Sequence, residues 1–274
     1  RELTVSHNGG TNGGVVDAGA TTVNVNVDAA TTAAGTNTFA AATTLNVDVN
    51  AALTAGTIVA AAATDVNVNF DAAVTASTIT TNAATTIDYT GTANAVVTQT
   101  GAAAAVITNS GTGNLTLNTA IAAGQTYTGG AGVDTVTFAA TGTTASTLGA
   151  GNDVATFSAV AGTGGSVDGG AGDDTISVTH ANALVLDNST AFNADVANFE
   201  VLSLGAIAAS TGAANADDTS LNMTNIDGIN SVKLAGSAAA TNAQVNTIAN
   251  LASGATFEQT ALLGANASVA LTGA

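Results

Sequence analysis

The sequence predicts an all-β chain, folded as a parallel β-solenoid or β-roll of short repeats. A segment that alternates apolar and polar residues recurs every 21–22 residues in the first third of the chain. Such alternation is typical of a strand with one buried face. The 274 residues include 31 Gly and no Pro, and only 3% are aromatic. Small residues stack closely in regular repeats, Gly permits tight turns, and without Pro every backbone N–H can join a ladder.

The repeat is clearest between residues 21 and 90. Its copies occupy 21–30, 43–52 and 64–73, and a shortened copy occupies 85–90. In the first copy the apolar residues are Val23, Val25 and Val27, which we expect to face the core. A second short apolar run lies between successive copies. Each period therefore contains two strands, as one solenoid turn requires.

Weaker signals extend the strand pattern along the rest of the chain. Apolar runs at 96–97, 106–107 and 115–117 are 9 to 10 residues apart, the length of half a turn. About 13 turns at ~4.8 Å each predict a body ~60 Å long. The segments 193–198 and 223–228 are expected to be loops or single helical turns. We divide the chain into 1–125 (repeats rich in Thr, Asn and Ala), 126–180 (a Gly-rich β-roll) and 181–274 (further β-repeats).

The charge of the chain restricts its partners. Arg1 and Lys233 are the only basic residues against 16 Asp and 3 Glu, so the net charge is −17. Nucleic acid is excluded because neutralising phosphates requires Lys and Arg. No apolar run is long enough for a transmembrane helix, so we expect no membrane insertion. So many carboxylates would repel one another in a folded chain, and Ca²⁺, which takes oxygen ligands, is the expected counter-ion.

A nine-residue motif, G-G-x-G-x-D-x-U-x with U a large apolar residue, occurs at 129–137 and 169–177. A degenerate copy occupies 148–156, where Leu148 replaces the first Gly and Ala155 the apolar residue. This is the calcium-binding β-helix repeat of repeats-in-toxin (RTX) proteins. The candidate metal-binding residues are Gly129, Gly130, Ala131, Gly132 and Asp134 in the first copy, Gly149, Gly151 and Asp153 in the second, and Gly169, Gly170, Ala171, Gly172 and Asp174 in the third.

The motif has a direct physical logic. Its glycines allow a turn with positive φ that aims backbone carbonyls inward, and its Asp adds a carboxylate. One turn supplies only about half of the 6–8 oxygens that calcium takes, so a stacked turn must supply the rest. Asp134, Asp153 and Asp174 are 19 and 21 residues apart, near the period of two nonapeptides. We therefore expect two calcium sites, Asp134 with Asp153 and Asp153 with Asp174.

Some parts of this region are less defined by the motif. It fixes no ligand at Asp168 or Asp173. The residues in excess of two nonapeptides are expected in the opposite turns, at 139–142 and 159–165. The alternative interpretation is that the motif forms plain Gly-rich turns with solvated Asp side chains.

The block 126–206 resembles the RTX region of bacterial surface-layer (S-layer) proteins exported by type I secretion. In that family a few nonapeptides precede a Phe-Glu-x-Leu-x-Leu-like strand, here at 199–204. The remaining chain is similar in composition only. The resemblance implies calcium-dependent folding outside the cell and assembly with copies of itself into a two-dimensional lattice at the cell surface. The family's secretion signal and anchoring domain are not identified in this sequence, and outer-membrane lipopolysaccharide is the candidate partner of such an anchor.

We expect no enzyme. His7 and His180 have no partners at metal or catalytic-triad spacing, and H-E-x-x-H and G-x-S-x-G are absent. Other functions remain open: an extender segment of a calcium-binding RTX adhesin, or the RTX carrier domain of a secreted hydrolase. Thr-rich repeats also suggest ice binding, which the Asn and Asp residues of the outward face disfavour. A lattice protein should form sheets with calcium, whereas an adhesin segment should stay monomeric.

Overall fold

The computed structural model describes residues 1–139, 144–159, 165–186, 194–208, 218–226, 228–240 and 242–273. Its strands are parallel and coil into a solenoid of about 12 turns, which confirms the predicted fold class. Within the described residues, no helix is long and apolar enough to cross a membrane.

The described strands follow one another with few helical interruptions. In chain order they are β1 (Glu2–Asn12), β2 (Val16–Asp17), β3 (Thr22–Phe39), β4 (Thr44–Val49), β5 (Leu53–Val59), β6 (Asp65–Phe70), β7 (Val74–Thr80), β8 (Thr86–Gly91), β9 (Ala95–Thr100), β10 (Val106–Asn109), β11 (Leu115–Ile121), β12 (Thr126–Thr128), β13 (Asp134–Phe138), β14 (Ala145–Thr147), β15 (Val154–Phe157), β16 (Ser166–Asp168), β17 (Thr175–Val178), β18 (Val196–Ala197), β19 (Val201–Leu204), β20 (Thr219–Asn222), β21 (Ser231–Leu234), β22 (Gln244–Leu251), β23 (Thr256–Gln259) and β24 (Ala267–Gly273).

Two stacks of strands form the walls of the coil. The first stack contains β1, the start of β3, and then β4, β6, β8, β10, β12, β14, β16 and β18. The second contains β2, the end of β3, and the odd-numbered strands from β5 to β23. A separate three-stranded parallel sheet is formed by β20, β22 and β24. Each coil therefore supplies the two strands that the repeat spacing predicts.

The number of residues per turn changes along the coil. Paired residues are 22 apart where Thr22 meets Thr44, and 19 apart where Leu115 meets Asp134. After the Gly-rich region the spacing widens to 26, between Thr175 and Val201, and then to 30. The turns with the fewest residues are thus those next to and within the motif region.

Alternation along the strands separates the core from the outer face as predicted. Val23, Val25 and Val27 are at most 2% exposed. The Asn residues between such positions stack on the outside, where the Asn46 amide donates to Asn24 Oδ1 at 2.8 Å. The Asn67 amide donates to Asn46 Oδ1 at 3.0 Å in turn. These amide ladders run parallel to the backbone ladder and reinforce its register.

Short helical elements interrupt the strands. Helix α1 (His180–Leu186) was not expected from the sequence. Thr179 begins it, because its hydroxyl accepts the Asn182 N–H at 3.1 Å and its carbonyl accepts the Ala183 N–H at 3.0 Å, as an N-cap does. A 3-10 helix at Met223–Asn225 lies in the segment 223–228, where a loop or a single helical turn was predicted.

Stacked aromatic rings fill the core at the ends of β13 and β15 that lie away from the motif turns. The rings of Phe138 and Phe157 are 5.6 Å apart between centroids, and Phe157 is 1% exposed. We predict that Phe157→Ala lowers the free energy of unfolding by about 3–5 kcal/mol, because it leaves a cavity in a close-packed column. The matched outward change Thr156→Ala should cost less than about 1 kcal/mol. Urea unfolding checks this, and equal losses in both variants would contradict the assigned facing of β15.

Candidate metal centre

The three motif turns lie one above another on one edge of the coil. Each connects a strand of the first stack to one of the second: β12 to β13, β14 to β15, and β16 to β17. Strand pairing aligns Thr135 with Val154 and Val154 with Thr175. The Asp that precedes each of these residues therefore occupies the same place at three successive levels.

The glycines of the second and third copies are needed for both conformation and space. Gly149 and Gly151 have φ of +100° and +142°, and Gly170 and Gly172 have +101° and +148°. A β-carbon on Gly170 would lie 1.9 Å from the carbonyl oxygen of Gly149. One on Gly172 would lie 1.6 Å from that of Gly151. No other residue fits these two places without moving the adjacent turn.

The first copy departs from the expected conformation. Its three glycines do not have positive φ, and Gly is required there only for close approach. A β-carbon on Gly130 would lie 2.4 Å from the Gly111 oxygen, and one on Gly132 would lie 2.3 Å from the Gly113 oxygen. The glycine stack thus continues into the turn before the first copy. This turn does not match the nine-residue motif, because Leu115 stands where the motif has Asp.

The three motif Asp residues form a ladder of buried carboxylates. Asp134, Asp153 and Asp174 are all 0% exposed. The Asp134 N–H donates to Asp153 Oδ1 at 2.7 Å, and the Asp153 N–H donates to Asp174 Oδ1 at 2.7 Å. In an ordinary turn the equivalent N–H, that of Ala95, donates to the main-chain carbonyl of Asn114 at 2.9 Å. In the motif turns a side-chain carboxylate takes the place of that carbonyl.

Glu200 is a fourth member of this ladder that the sequence analysis did not identify. The pairing of Thr175 with Val201 puts Glu200 at the level after Asp174. Its Oε2 accepts the Asp174 N–H at 2.8 Å. Its turn, 198–200, is three residues shorter than the motif turn 169–174. The extra methylene of Glu lets a carboxylate from this shorter turn reach the same acceptor position.

Protein donors satisfy the carboxylate at the other end of the ladder. The Tyr127 hydroxyl donates to Asp134 Oδ2 at 2.7 Å, and the Asn109 amide donates to Oδ1 at 3.0 Å. The Leu115 N–H also donates to Oδ1, at 3.3 Å. By contrast, Oδ2 of Asp153 and Oδ2 of Asp174 are buried and have no hydrogen-bond partner among the described residues. Buried polar atoms without partners are rare and costly, so these two oxygens mark a place for a missing donor or cation.

The electrostatics of the ladder follow from burial. Burial, helped by the charges of Asp134 and Asp174, raises the pKa of Asp153 to about 7, against the hydrogen bond from the Asp134 N–H, which lowers it. Burial also raises the pKa of Asp134, against the hydrogen bonds from Tyr127 and Asn109, which lower it. Burial also raises the pKa of Asp174. The hydrogen bond from the Asp153 N–H lowers it, and the charge of Glu200 raises it.

The other acids of the region play different parts. Asp168 Oδ1 accepts the Gly170 N–H at 3.0 Å and the Asn198 amide at 2.7 Å. Asp173 is exposed, and its N–H donates to Asn152 Oδ1 at 3.0 Å. The opposite turns predicted at 139–142 and 159–165 lie mostly outside the described residues.

The described residues contain no group of three or more His, Cys, Asp or Glu side chains that could by itself hold a metal ion. A cation on this edge would therefore need main-chain carbonyls beside one or two carboxylates. Comparison with protein-family models and with curated proteins finds no match to this chain.

The raised pKa of Asp153 predicts a pH dependence of the metal-free protein. Between about pH 4 and pH 7 the folded chain holds a proton that the unfolded chain has released. The free energy of unfolding in chelator should therefore fall as pH rises from 5 to about 7, and then level off. Urea unfolding at a series of pH values checks this. Asp153→Asn, which cannot ionise, should flatten the slope, whereas stability that rises with pH in wild type would contradict the assignment.

Proposed function

We propose that this chain is a calcium-stabilised structural segment of a bacterial surface layer, which folds outside the cell and assembles with copies of itself into a two-dimensional lattice. The observation that carries the calcium part is the pair of buried, unpartnered oxygens, Asp153 Oδ2 and Asp174 Oδ2. They lie in stacked turns whose glycines bring main-chain carbonyls close to the next turn.

The chemistry of these turns fits calcium. The donors are carboxylate and carbonyl oxygens, which hard cations prefer. Thiolate ligands are excluded because the chain has no Cys. The residues that would hold calcium are the motif residues of all three copies, with Asp153 and Asp174 foremost because their second oxygens have no donor. A bound ion would neutralise buried charge and would stabilise the folded state, since the unfolded chain lacks the site.

The outer surface supports the assembly part of the proposal. Its strands present Asn and Thr in regular rows, as in the ladder of Asn24, Asn46 and Asn67. Contacts between such rows are individually weak, but lattice symmetry repeats them many times. A chain of net charge −17 repels its copies, and bound calcium reduces that repulsion. Anchoring to lipopolysaccharide would require a region outside these residues.

An extender segment of an RTX adhesin is the second candidate. The continuous coil of about 12 turns favours it, since a solenoid of this kind separates its two ends by a fixed distance. The two candidates share the calcium chemistry and differ in whether copies associate.

Asp153 is predicted to matter most for calcium, because both expected sites use it. Asp153→Asn should weaken calcium binding at least about 10-fold from a starting affinity of roughly 0.1–1 mM. Asp134→Asn should have a smaller effect, because protein donors already hold that carboxylate. Titration calorimetry measures this, with Asp71→Asn, an exposed residue of an earlier turn, as the matched control. Equal affinities for wild type and Asp153→Asn would contradict the calcium proposal.

Electron microscopy of the purified chain with and without millimolar calcium tests assembly. Sheets with a regular repeat are expected with calcium, and dispersed particles are expected in chelator. Circular dichroism on the same samples establishes whether the calcium-loaded chain is folded. A folded, calcium-loaded chain that stays monomeric at high concentration would reject the lattice role and favour the adhesin extender.

A further inference from the structure

The carboxylate ladder continues past the last Gly-rich motif, into a turn that the motif does not cover. We propose a further binding site for calcium between the third motif turn and the turn 198–200, formed by Asp174 Oδ2, the main-chain carbonyl of Asn198 and the carboxylate of Glu200. This proposal rests on the calcium function proposed above. It adds a site whose residues lie largely outside the nonapeptides.

The two carboxylate oxygens of Asp174 serve opposite sides of its turn. Oδ1 accepts the Asp153 N–H of the preceding level at 2.7 Å. Oδ2 lies 2.9 Å from the point that a β-carbon on Gly169 would occupy, and the Asn198 carbonyl oxygen lies 2.0 Å from that same point. The two oxygens are therefore less than about 5 Å apart, which one ion with calcium–oxygen distances of about 2.3–2.6 Å can span. Oδ2 thus faces the following turn, where it has no hydrogen-bond partner.

A side-chain contact fixes the turn that supplies the carbonyl. Asn198 has φ of +56°, in the left-handed region that non-Gly residues seldom adopt. Its amide donates to Asp168 Oδ1 at 2.7 Å, and the Gly170 N–H donates to the same oxygen at 3.0 Å. Asp168 therefore ties the turn 198–200 to the third motif turn. This tie keeps the Asn198 carbonyl directed at Gly169.

Glu200 supplies a second carboxylate from the same turn as Asn198. Its Oε2 accepts the Asp174 N–H at 2.8 Å, and its side chain is half-buried. The charges of Glu200, Asp173 and Asp168 add to burial in raising the pKa of Asp174. Negative charge therefore accumulates around an oxygen with no donor. A divalent cation removes both the repulsion and the unpaired acceptor.

In the first motif turn a protein group donates to the equivalent carboxylate oxygen. Asp134 Oδ2 lies 2.7 Å from the β-carbon point of Gly129, and the Leu148 carbonyl oxygen lies 1.8 Å from it. There the Tyr127 hydroxyl donates to Oδ2 at 2.7 Å. Strand pairing puts Val167 at the place of Tyr127 in the third turn, and Val has no donor to offer. A tyrosine hydroxyl thus donates to the carboxylate oxygen of this pair in the first turn, and no group of the described residues does so in the third.

The test counts bound calcium in the full chain by equilibrium dialysis. Glu200→Gln keeps an acceptor for the Asp174 N–H but removes the charge, and it should bind one calcium fewer per chain than wild type. The matched control is Glu258→Gln on the exposed face of β23, which should bind as many as wild type.

The outcomes separate this inference from the proposed function. Wild type that binds no calcium refutes both. Wild type and Glu200→Gln with equal numbers of bound calcium refute only the additional site. If Glu200→Gln does not fold by circular dichroism, a crystal structure of the wild-type chain with terbium in place of calcium decides. Anomalous density beside Asp174 and Asn198 is expected, and density beside Asp153 alone would overturn the site.

Discussion

A column of buried carboxylates parallel to the solenoid axis is the constraint on which the rest of the molecule depends. At the levels before the motif the same column holds Val74, Ala95 and Leu115, which are at most 3% exposed. The motif puts Asp into this core position, where an unpaired charge costs several kcal/mol. The adjacent N–H groups satisfy one oxygen of each carboxylate, and the second needs a hydroxyl, an amide or a cation. The motif also needs its glycines, because a β-carbon at these positions would collide with the carbonyl of the adjacent turn.

Most of the fold could be predicted from the sequence because the outer and inner faces differ so strongly. A shift of one residue would bury Asn24 and expose Val23, so the pattern permits one register. The motif likewise predicted which turns would stack. Glu200, Asn109 and Tyr127 could not be assigned to the ladder from the sequence. Glu200 and Asn109 reach it from other levels, and Tyr127 reaches it across the coil from the opposite stack of strands. Helix α1 is too short for a periodic signal, and its start depends on a single hydroxyl.

The ladder ends differently on its two sides, and the difference divides the coil energetically. On the Asp134 side, the neutral side chains of Tyr127 and Asn109 donate to the carboxylate, so both oxygens of Asp134 have protein donors. On the Asp174 side, the next acceptor is another carboxylate. In a solenoid each level contacts only its neighbours, so stability is a sum of local terms. The energetic cost of the buried carboxylates therefore falls mainly on the levels around Asp153 and Asp174, whose second oxygens have no hydrogen-bond partner among the described residues.

The change in contour length along the coil has a mechanical consequence. Turns of 19 residues have fewer side chains to direct inward than turns of 22 or 26, and at the motif levels Asp takes one of the buried places. The turns with the fewest residues are thus also the turns whose stability depends most on polar contacts. A pulling force along the coil would therefore meet mainly polar contacts at these levels, and mainly packed apolar side chains at the levels before them.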